Sequence, residues 1–99
     1  MLYAIISEDI DNSLPLRLQA RPSHIARLQT LQNQGLLILA GPHPAIDNAE
    51  PGAQGFTGSL IVAEFSSLSD AKSWADADPY IKAGVYSKVT VKPFKQVLP

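Results

Sequence analysis

One histidine and one aspartate stand where proton-transfer chemistry would need them. Residues 22–34 have helical periodicity, and their apolar positions include Ile25, Leu28 and Leu31. His24 falls on the same side of this helix, so its imidazole faces the core. Asp78 follows a second predicted helix and is held extended by Pro79. Because a carboxylate bound to one imidazole nitrogen makes the other a better proton acceptor, these residues predict a His-Asp pair for acid–base catalysis.

Each of these residues also has a structural interpretation. On periodicity alone, His24 is more simply a core imidazole that bonds a backbone carbonyl. Asp78 could start an Asp-Pro turn, and Asp76 is interpreted as a solvated carboxylate at a helix end. Two helices packed antiparallel on one sheet would nevertheless bring His24, near the start of the first, close to Asp78, just past the end of the second.

Three more polar side chains are candidates for the same pocket. Arg21 and Ser59 are predicted to hold an oxyanion or hydroxyl of a small-molecule ligand. Arg17 also precedes His24 closely enough to supply a cation. A solvated surface role is the alternative for both arginines, and we favour it for Arg17. No serine lies in a Gly-x-Ser-x-Gly elbow, so acyl-enzyme chemistry is not expected.

Other chemistries lack their motifs. The chain has no cysteine, which removes thiolate nucleophiles and Cys-ligated metals. His24 and His43 have no metal-ligand spacing, so neither a metal nor a cofactor is expected. His43 stands between two prolines and is interpreted as a loop histidine. The segment with glycines at 52, 55 and 58 leads into a strand, whereas phosphate-binding glycine loops open a helix.

Charge and length narrow the class of protein. The 99 residues carry 8 Lys plus Arg against 9 Asp plus Glu, which offers no basic surface for nucleic acid. The first residues lack a signal-peptide pattern, and no apolar run approaches the length of a membrane span. We therefore expect one cytoplasmic domain over residues 1–99, with neither nucleic acid nor membrane as a partner.

The elements that position these side chains follow a βαββαβ order. Strands are predicted at residues 2–7, 36–40, 56–65 and 85–92. The first helix is expected to begin at Pro22, after a separate helical turn at 14–20, because proline disfavours helix at the preceding residue. The second begins at Ser67 and ends before Pro79. This order predicts an α+β, ferredoxin-like sandwich with a four-stranded antiparallel sheet and both helices on one face.

The other face of this sheet needs a cover. Three of the four strands are apolar at successive positions, although a wet face of an antiparallel sheet should alternate. We expect a homodimer in which the same face of a second copy supplies the cover. The alternative is that the long loop predicted at residues 42–55 folds over the sheet.

Four separated motifs resemble the YciI-like, YCII-related family over essentially the whole chain. They are Arg-Pro-Ser-His at 21–24, Gly-Leu-Leu-Ile-Leu-Ala-Gly-Pro at 35–42, Gly-Phe-Thr-Gly-Ser at 55–59 and Asp-Ala-Asp-Pro-Tyr at 76–80. The resemblance implies a ferredoxin-like subunit assembled as a dimeric α+β barrel. It also implies a His-Asp dyad, whose members match His24 and Asp78.

The resemblance extends to reaction class and leaves two hypotheses for function. The family includes a dehydrochlorinase that acts on a chlorinated hydroxyhydroquinone, and its fold is similar to that of muconolactone isomerase. The first hypothesis is therefore a lyase or isomerase that moves protons on a small oxygenated ring compound. The alternative is a non-catalytic dimer that binds a metabolite or another protein, in which His24 and Asp78 form a polar core pair.

Overall fold

Four antiparallel strands form one sheet with the helices packed on one of its faces. The computed structural model describes residues 1–99. Its elements are β1 (Leu2–Asp9), α1 (Leu14–Asn33), β2 (Leu37–Pro44), β3 (Phe56–Glu64), α2 (Leu68–Asp76), α3 (Pro79–Lys82) and β4 (Tyr86–Phe94). The strand order β2-β3-β1-β4, with every pair antiparallel, confirms the predicted ferredoxin-like α+β fold.

The core lies between the helices and the two central strands. Ile5 of β1 pairs with Ile61 of β3, and both side chains are buried. Leu28 and Leu31 of α1 and Ala75 of α2 pack onto them. Apolar burial of this kind is the main stabilising contribution in a domain of this size. The helical periodicity that selected Leu28 and Leu31 therefore identifies the packed face of α1.

The first helix is one continuous element, so the predicted break at Pro22 is wrong. Helix α1 begins at Leu14 and includes Pro22 in its interior. Proline removes one helical hydrogen bond, here the one that would end on the carbonyl of Leu18. Leu18 is 62% exposed, so this part of the helix faces solvent. Packing on both sides of the proline, at Arg17 and His24, outweighs its local preference.

The second strand is longer and more exposed than predicted. β2 continues through Gly41 to Pro44, although the sequence predicted that it would end at residue 40 and be buried. It lies at the sheet edge and pairs with β3 alone, and prolines are tolerated at such an edge because one side needs no N–H donor. The loop is correspondingly shorter than 42–55 and contains a 3₁₀ turn at Gly52–Gln54.

The second helix is followed closely by a third. The Ser67 hydroxyl accepts the backbone N–H of Asp70, as the predicted cap requires. After α2 ends at Asp76, Asp78 caps the single turn α3, which the sequence analysis did not predict. Proline in the first turn after a capping aspartate is typical of a helix start, so Asp78 and Pro79 could have predicted α3 from the sequence.

No helix packs on the other face of the sheet. We call it the open face; its side chains include Ala4, Ile6, Leu60 and Val62 on the two central strands and Leu39 on the edge strand β2. Ile6 is 36% and Leu39 47% exposed, whereas Ala4 and Val62 are buried. The loop leaves Ile6 and Leu39 exposed, and its end at Gly55 lies against Leu14 at the start of α1. No helix is both long enough and apolar enough to cross a membrane.

Candidate active site

Helix α1 presents two polar side chains to the sheet. Arg17 and His24 are both buried, in line with Leu28 and Leu31. Residues 17, 24 and 31 are seven apart, which is close to two helical turns, so they share one face. A polar pair on the buried side of a helix requires partners, because an unpaired buried polar group costs about 1–3 kcal/mol.

His24 finds its partner in Asp78. Its Nδ1 lies 2.9 Å and 3.0 Å from the two carboxylate oxygens, and both residues are buried. An ionised carboxylate only accepts hydrogen bonds, so Nδ1 carries the proton and Nε2 of the neutral ring is the basic atom. Nε2 makes no hydrogen bond within the protein, and it is not fully buried. This nitrogen is therefore open to a ligand.

The pair is held from the other side by α3. Asp78 Oδ1 accepts the backbone N–H of Tyr80 at 2.9 Å, which is the capping bond of this turn. The Tyr80 ring stacks on the His24 ring, with centroids 3.9 Å apart and planes 4° from parallel. The same turn thus fixes both the carboxylate and the plane of the imidazole.

Arg17 belongs to a second buried cluster. Its Nε donates to Asp9 Oδ2 at 2.6 Å, and its Nη2 donates to Asp9 Oδ1 at 3.0 Å. Nη2 also lies 2.9 Å from both the Gly58 carbonyl and Ser59 Oγ. Burial alone would lower the pKa of Arg17, but the hydrogen bond and charge of Asp9 raise it above its ordinary value. The guanidinium is a fixed cation in the site.

Gly58 is needed where this cluster meets the sheet. A Cβ at this position would lie 2.2 Å from the backbone oxygen of Ser7 on β1. Only glycine permits this approach. The glycine that the sequence analysis considered for phosphate binding instead allows β1 and β3 to close beside Arg17.

Two tyrosines lie behind the polar side chains of the site, Tyr80 against His24 and Tyr86 against Ser59. The Tyr86 hydroxyl donates to Ser59 Oγ at 3.0 Å, and burial raises the pKa of Tyr86 to about 12. Burial also raises the pKa of Tyr80, against the lowering effect of the Arg17 charge. Both rings stay neutral at physiological pH and act as hydrogen-bonding and stacking groups.

The two clusters face one cavity of about 200 Å³. Its polar wall contains Arg17, Arg21, His24 and Ser59. Its apolar wall is formed by Ile25, Leu28, Ala40, Gly41, Pro42, Phe56 and Ile61. Since an apolar cavity of about 150 Å³ accepts a benzene ring, the space suits one substituted six-membered ring.

Three of the four predicted site residues line this cavity, and the fourth, Asp78, lies behind it against His24. His24 and Asp78 are in contact, Ser59 is buried in the wall, and Arg21 is exposed at the rim. The expectation that Arg17 is solvated is wrong, because the continuous helix turns it toward the sheet, where Asp9 binds it. His43 lies on β2, exposed and outside the cavity lining.

Sequence reasoning missed Asp9, Tyr80 and Tyr86. The seven-residue step from His24 back to Arg17 would have indicated a buried cation that needs a carboxylate, but the expected break at Pro22 hid it. Nothing local distinguishes Asp9 from its acidic neighbours in the sequence. No group of three or more His, Cys, Asp or Glu side chains is arranged to hold a metal ion.

Comparison with known proteins agrees with the motifs. The sequence matches the family model described as YCII-related domain over residues 1–95. The chain belongs to the YCII-related domain family. The resemblance indicated by the four motifs is therefore confirmed, and it extends across the elements that build the cavity.

Relatives in this family match nearly the whole chain. Protein YciI of Escherichia coli O6:H1 is 59% identical over 97 residues, which cover 98% of this chain and 99% of that one. An uncharacterized protein of Haemophilus influenzae is 53% identical over the same coverage.

A solved structure shares the fold with a TM-score of 0.83. It is 5-chloro-2-hydroxyhydroquinone dehydrochlorinase from Burkholderia phenoliruptrix, in complex with 2,5-dihydroxybenzoquinone. It is 27% identical, and the match covers 96% of this chain and 94% of that chain. This similarity agrees with the ferredoxin-like topology described above.

Proposed function

We propose that this chain is a lyase or isomerase that moves a proton on a small oxygenated ring compound, with His24 as general base and acid. The observation that carries the proposal is the buried contact between His24 Nδ1 and Asp78, which leaves Nε2 unpartnered in a cavity of about 200 Å³. A general base must reach the proton that it removes, and Nε2 is the basic atom in that position.

The chemistry requires only proton transfer. His24 Nε2 takes a proton from a C–H or O–H of the substrate, and the released electron pair moves into the ring. In a lyase the pair then expels a leaving group such as chloride; in an isomerase the proton returns to another ring carbon. Asp78 stabilises the imidazolium during this step, because its carboxylate keeps the Nδ1–H hydrogen bond throughout.

Substrate binding is assigned to the rest of the polar wall. Ser59 lies in the wall and Arg21 at its rim, where they can hold an oxyanion or hydroxyl of the ring. The dehydrochlorinase with the same fold acts on a hydroxylated ring of this size and binds a dihydroxyquinone, which supports this substrate class.

Turnover of a ring panel tests the proposal. We expect His24→Gln and Asp78→Asn to lower turnover of chlorinated hydroxyhydroquinones, hydroxyquinones or lactones by about 10²- to 10⁴-fold, because each removes the general base or its orientation. Turnover is measured by absorbance after a thermal-shift screen has selected a substrate from the panel. Asp76→Asn is the matched control, since Asp76 is two residues away and exposed.

Two results separate this proposal from a binding role. If turnover of every substrate found were unchanged in both variants, His24 and Asp78 would not be catalytic. Loss of thermal stability alone, without effect on turnover or ligand binding, would make them a polar core pair of a non-catalytic module.

We further propose that two copies pair through the open face. The helices cover one side of the sheet only, and on the other side Ile6 of the central strand β1 and Leu39 of the edge strand β2 remain 36% and 47% exposed. Glu8 and Lys88, which pair across β1 and β4 at its margin, provide both charge signs for a self-complementary contact. This assembly would make the chain one half of a dimeric α+β barrel.

A further inference from the structure

Arg27 of α1 binds the end of α2. It lies one turn beyond His24, and its Nη2 donates to the backbone carbonyl of Trp74 at 2.7 Å. Its guanidinium carbon lies 4.2 Å from the centroid of the Trp74 ring, in a cation–π contact. Trp74 is four residues before Asp78. Arg27 therefore joins α1 to the stretch of chain that carries the Asp78 carboxylate to His24.

The Trp74 carbonyl is free because the chain leaves the helix before Asp78. In a continued helix this carbonyl would accept the N–H of Asp78. That N–H bonds the carbonyl of Ala75 instead, at 3.1 Å. α2 has no basic residue in its own last turn, so Arg27 supplies the cation that the negative end of a helix favours. The Arg27 hydrogen bond thus lies where the chain turns from α2 toward α3.

Stability alone does not account for an arginine at this position. Arg27 Nη1 is buried and has no hydrogen-bond acceptor in the protein. Burial lowers the pKa of Arg27, against the raising effect of the Asp78 carboxylate. A half-buried cation with an unpaired donor stabilises a fold poorly, and such a group in a native protein calls for another explanation. The attraction between Arg27 and Asp78 indicates one, since it acts on the carboxylate that binds His24.

We propose that Arg27 is a positioning residue for the proton transfer, which ties the end of α2 to α1 and so holds the Asp78 carboxylate against His24 Nδ1. This inference rests on the proposed function and deepens it. Arg27 does not line the cavity, so it acts through Asp78 and not on the substrate. Without the Arg27 bond the end of α2 can move away from α1. The carboxylate then no longer keeps the imidazole proton on Nδ1, and Nε2 is no longer the basic nitrogen in every molecule.

The tautomer of His24 reports this positioning directly. The chain has two histidines, so long-range ¹H–¹⁵N NMR correlations of labelled protein resolve both rings, and a His43→Gln spectrum assigns them. At pH 9, where imidazole is ordinarily neutral, wild-type His24 should carry its proton on Nδ1 alone. Arg27→Met removes the charge and the donor and should give a mixture of the two tautomers. Arg27→Lys keeps a charge and a donor and should restore the wild-type tautomer.

Turnover provides a second readout, on the ring substrate that the panel selects. Arg27→Met should lower kcat by roughly 10-fold and leave KM unchanged, because the residue orients the general base without contacting the substrate. Lys72→Met is the matched control. It removes the same charge from an exposed position on α2 and should change neither the tautomer of His24 nor kcat.

Two results would overturn the inference. One is an unchanged Nδ1–H tautomer of His24 in folded Arg27→Met, and the other is an unchanged kcat in that variant when His24→Gln abolishes turnover. Should Arg27→Met fail to fold, Arg27→Gln provides the same test, since glutamine is polar but shorter and neutral. Failure of the proposed function is distinguishable, because the tautomer is measured without substrate. It would appear as unchanged turnover in His24→Gln while the tautomer still responds to Arg27 as expected here.

Discussion

The imidazole of His24 has one nitrogen left for chemistry, and three contacts decide which one. The two Asp78 oxygens take Nδ1, and the Tyr80 ring fixes the imidazole plane at a centroid distance of 3.9 Å. Rotation of the ring by half a turn would break the contact with Asp78. At the residue scale, the site is therefore defined by positioning groups that themselves need not touch a substrate.

The pH dependence of the free energy of unfolding tests the burial of the Tyr86 hydroxyl. Its pKa is about 12 in the folded chain, raised from 10.0 by burial, so it keeps its proton to a higher pH than the unfolded chain does. Between these pH values the unfolded state binds fewer protons, and the free energy of unfolding should fall as pH rises, by at most about 3 kcal/mol from this residue. Urea unfolding at a series of pH values from 9 upward measures it.

Tyr86→Phe is the reference for this measurement. All other ionisable groups are the same in both proteins, so the difference between the two pH dependences comes from Tyr86. The variant should lose less stability than the wild type as pH rises above 10. Identical pH dependence of the two proteins would contradict the burial of the Tyr86 hydroxyl against Ser59.

At the element scale, the continuity of α1 determines which side chains meet. Arg17 and His24 share a face only because the helix passes through Pro22 without a break. Local preference disfavours helix at Arg21, since the proline ring crowds the preceding residue. Packing of both halves on the same sheet, at Arg17 and at His24, outweighs this preference.

Pro22→Ala tests this account of the helix. Alanine restores the missing N–H and should raise the free energy of unfolding by about 1–2 kcal/mol, after allowance for the greater freedom of the unfolded chain. Pro15→Ala is the control, because Pro15 lies in the first turn of α1, where proline is well tolerated, and it should bring no gain. Chemical denaturation gives both values. Equal effects at the two prolines would contradict an unbroken helix.

At the scale of the whole molecule, the helices of this short chain cover only one of the two faces of its sheet. A domain of this length buries only about 64% of the surface of its unfolded chain, so an uncovered apolar face weighs heavily. Pairing through the open face would remove the exposed parts of Ile6 and Leu39 from water.

Sedimentation velocity at micromolar concentration tests this pairing. The wild type should sediment as a dimer, at twice its mass of 10.7 kDa. Ile6→Lys should shift it to monomer, because it places a charge at the centre of the open face. Ile81→Lys is matched in exposure, 38% against 36%, but lies on α3, and it should remain dimeric. A wild type that stays monomeric would refute the pairing.

The sequence determined the order of the four strands and the two longer helices, the packed face of the first helix and the pairing of His24 with Asp78. Periodicity identified Leu28, Leu31 and His24, because a helical face repeats regularly in any context. The same reasoning went wrong at Pro22 and at the end of β2, since it weighs local preference and cannot weigh packing or an edge position in a sheet.

Only the tertiary structure decided how the site is built. Arg17 lies 8 positions after Asp9 and 42 positions before Ser59 along the chain. The three side chains meet because β1 and β3 approach closely at Gly58. The basic nitrogen of His24 was likewise undetermined until Asp78 was found on Nδ1. The physical reason is that a hydrogen bond depends on distances between atoms, and these are set when the helices pack on the sheet.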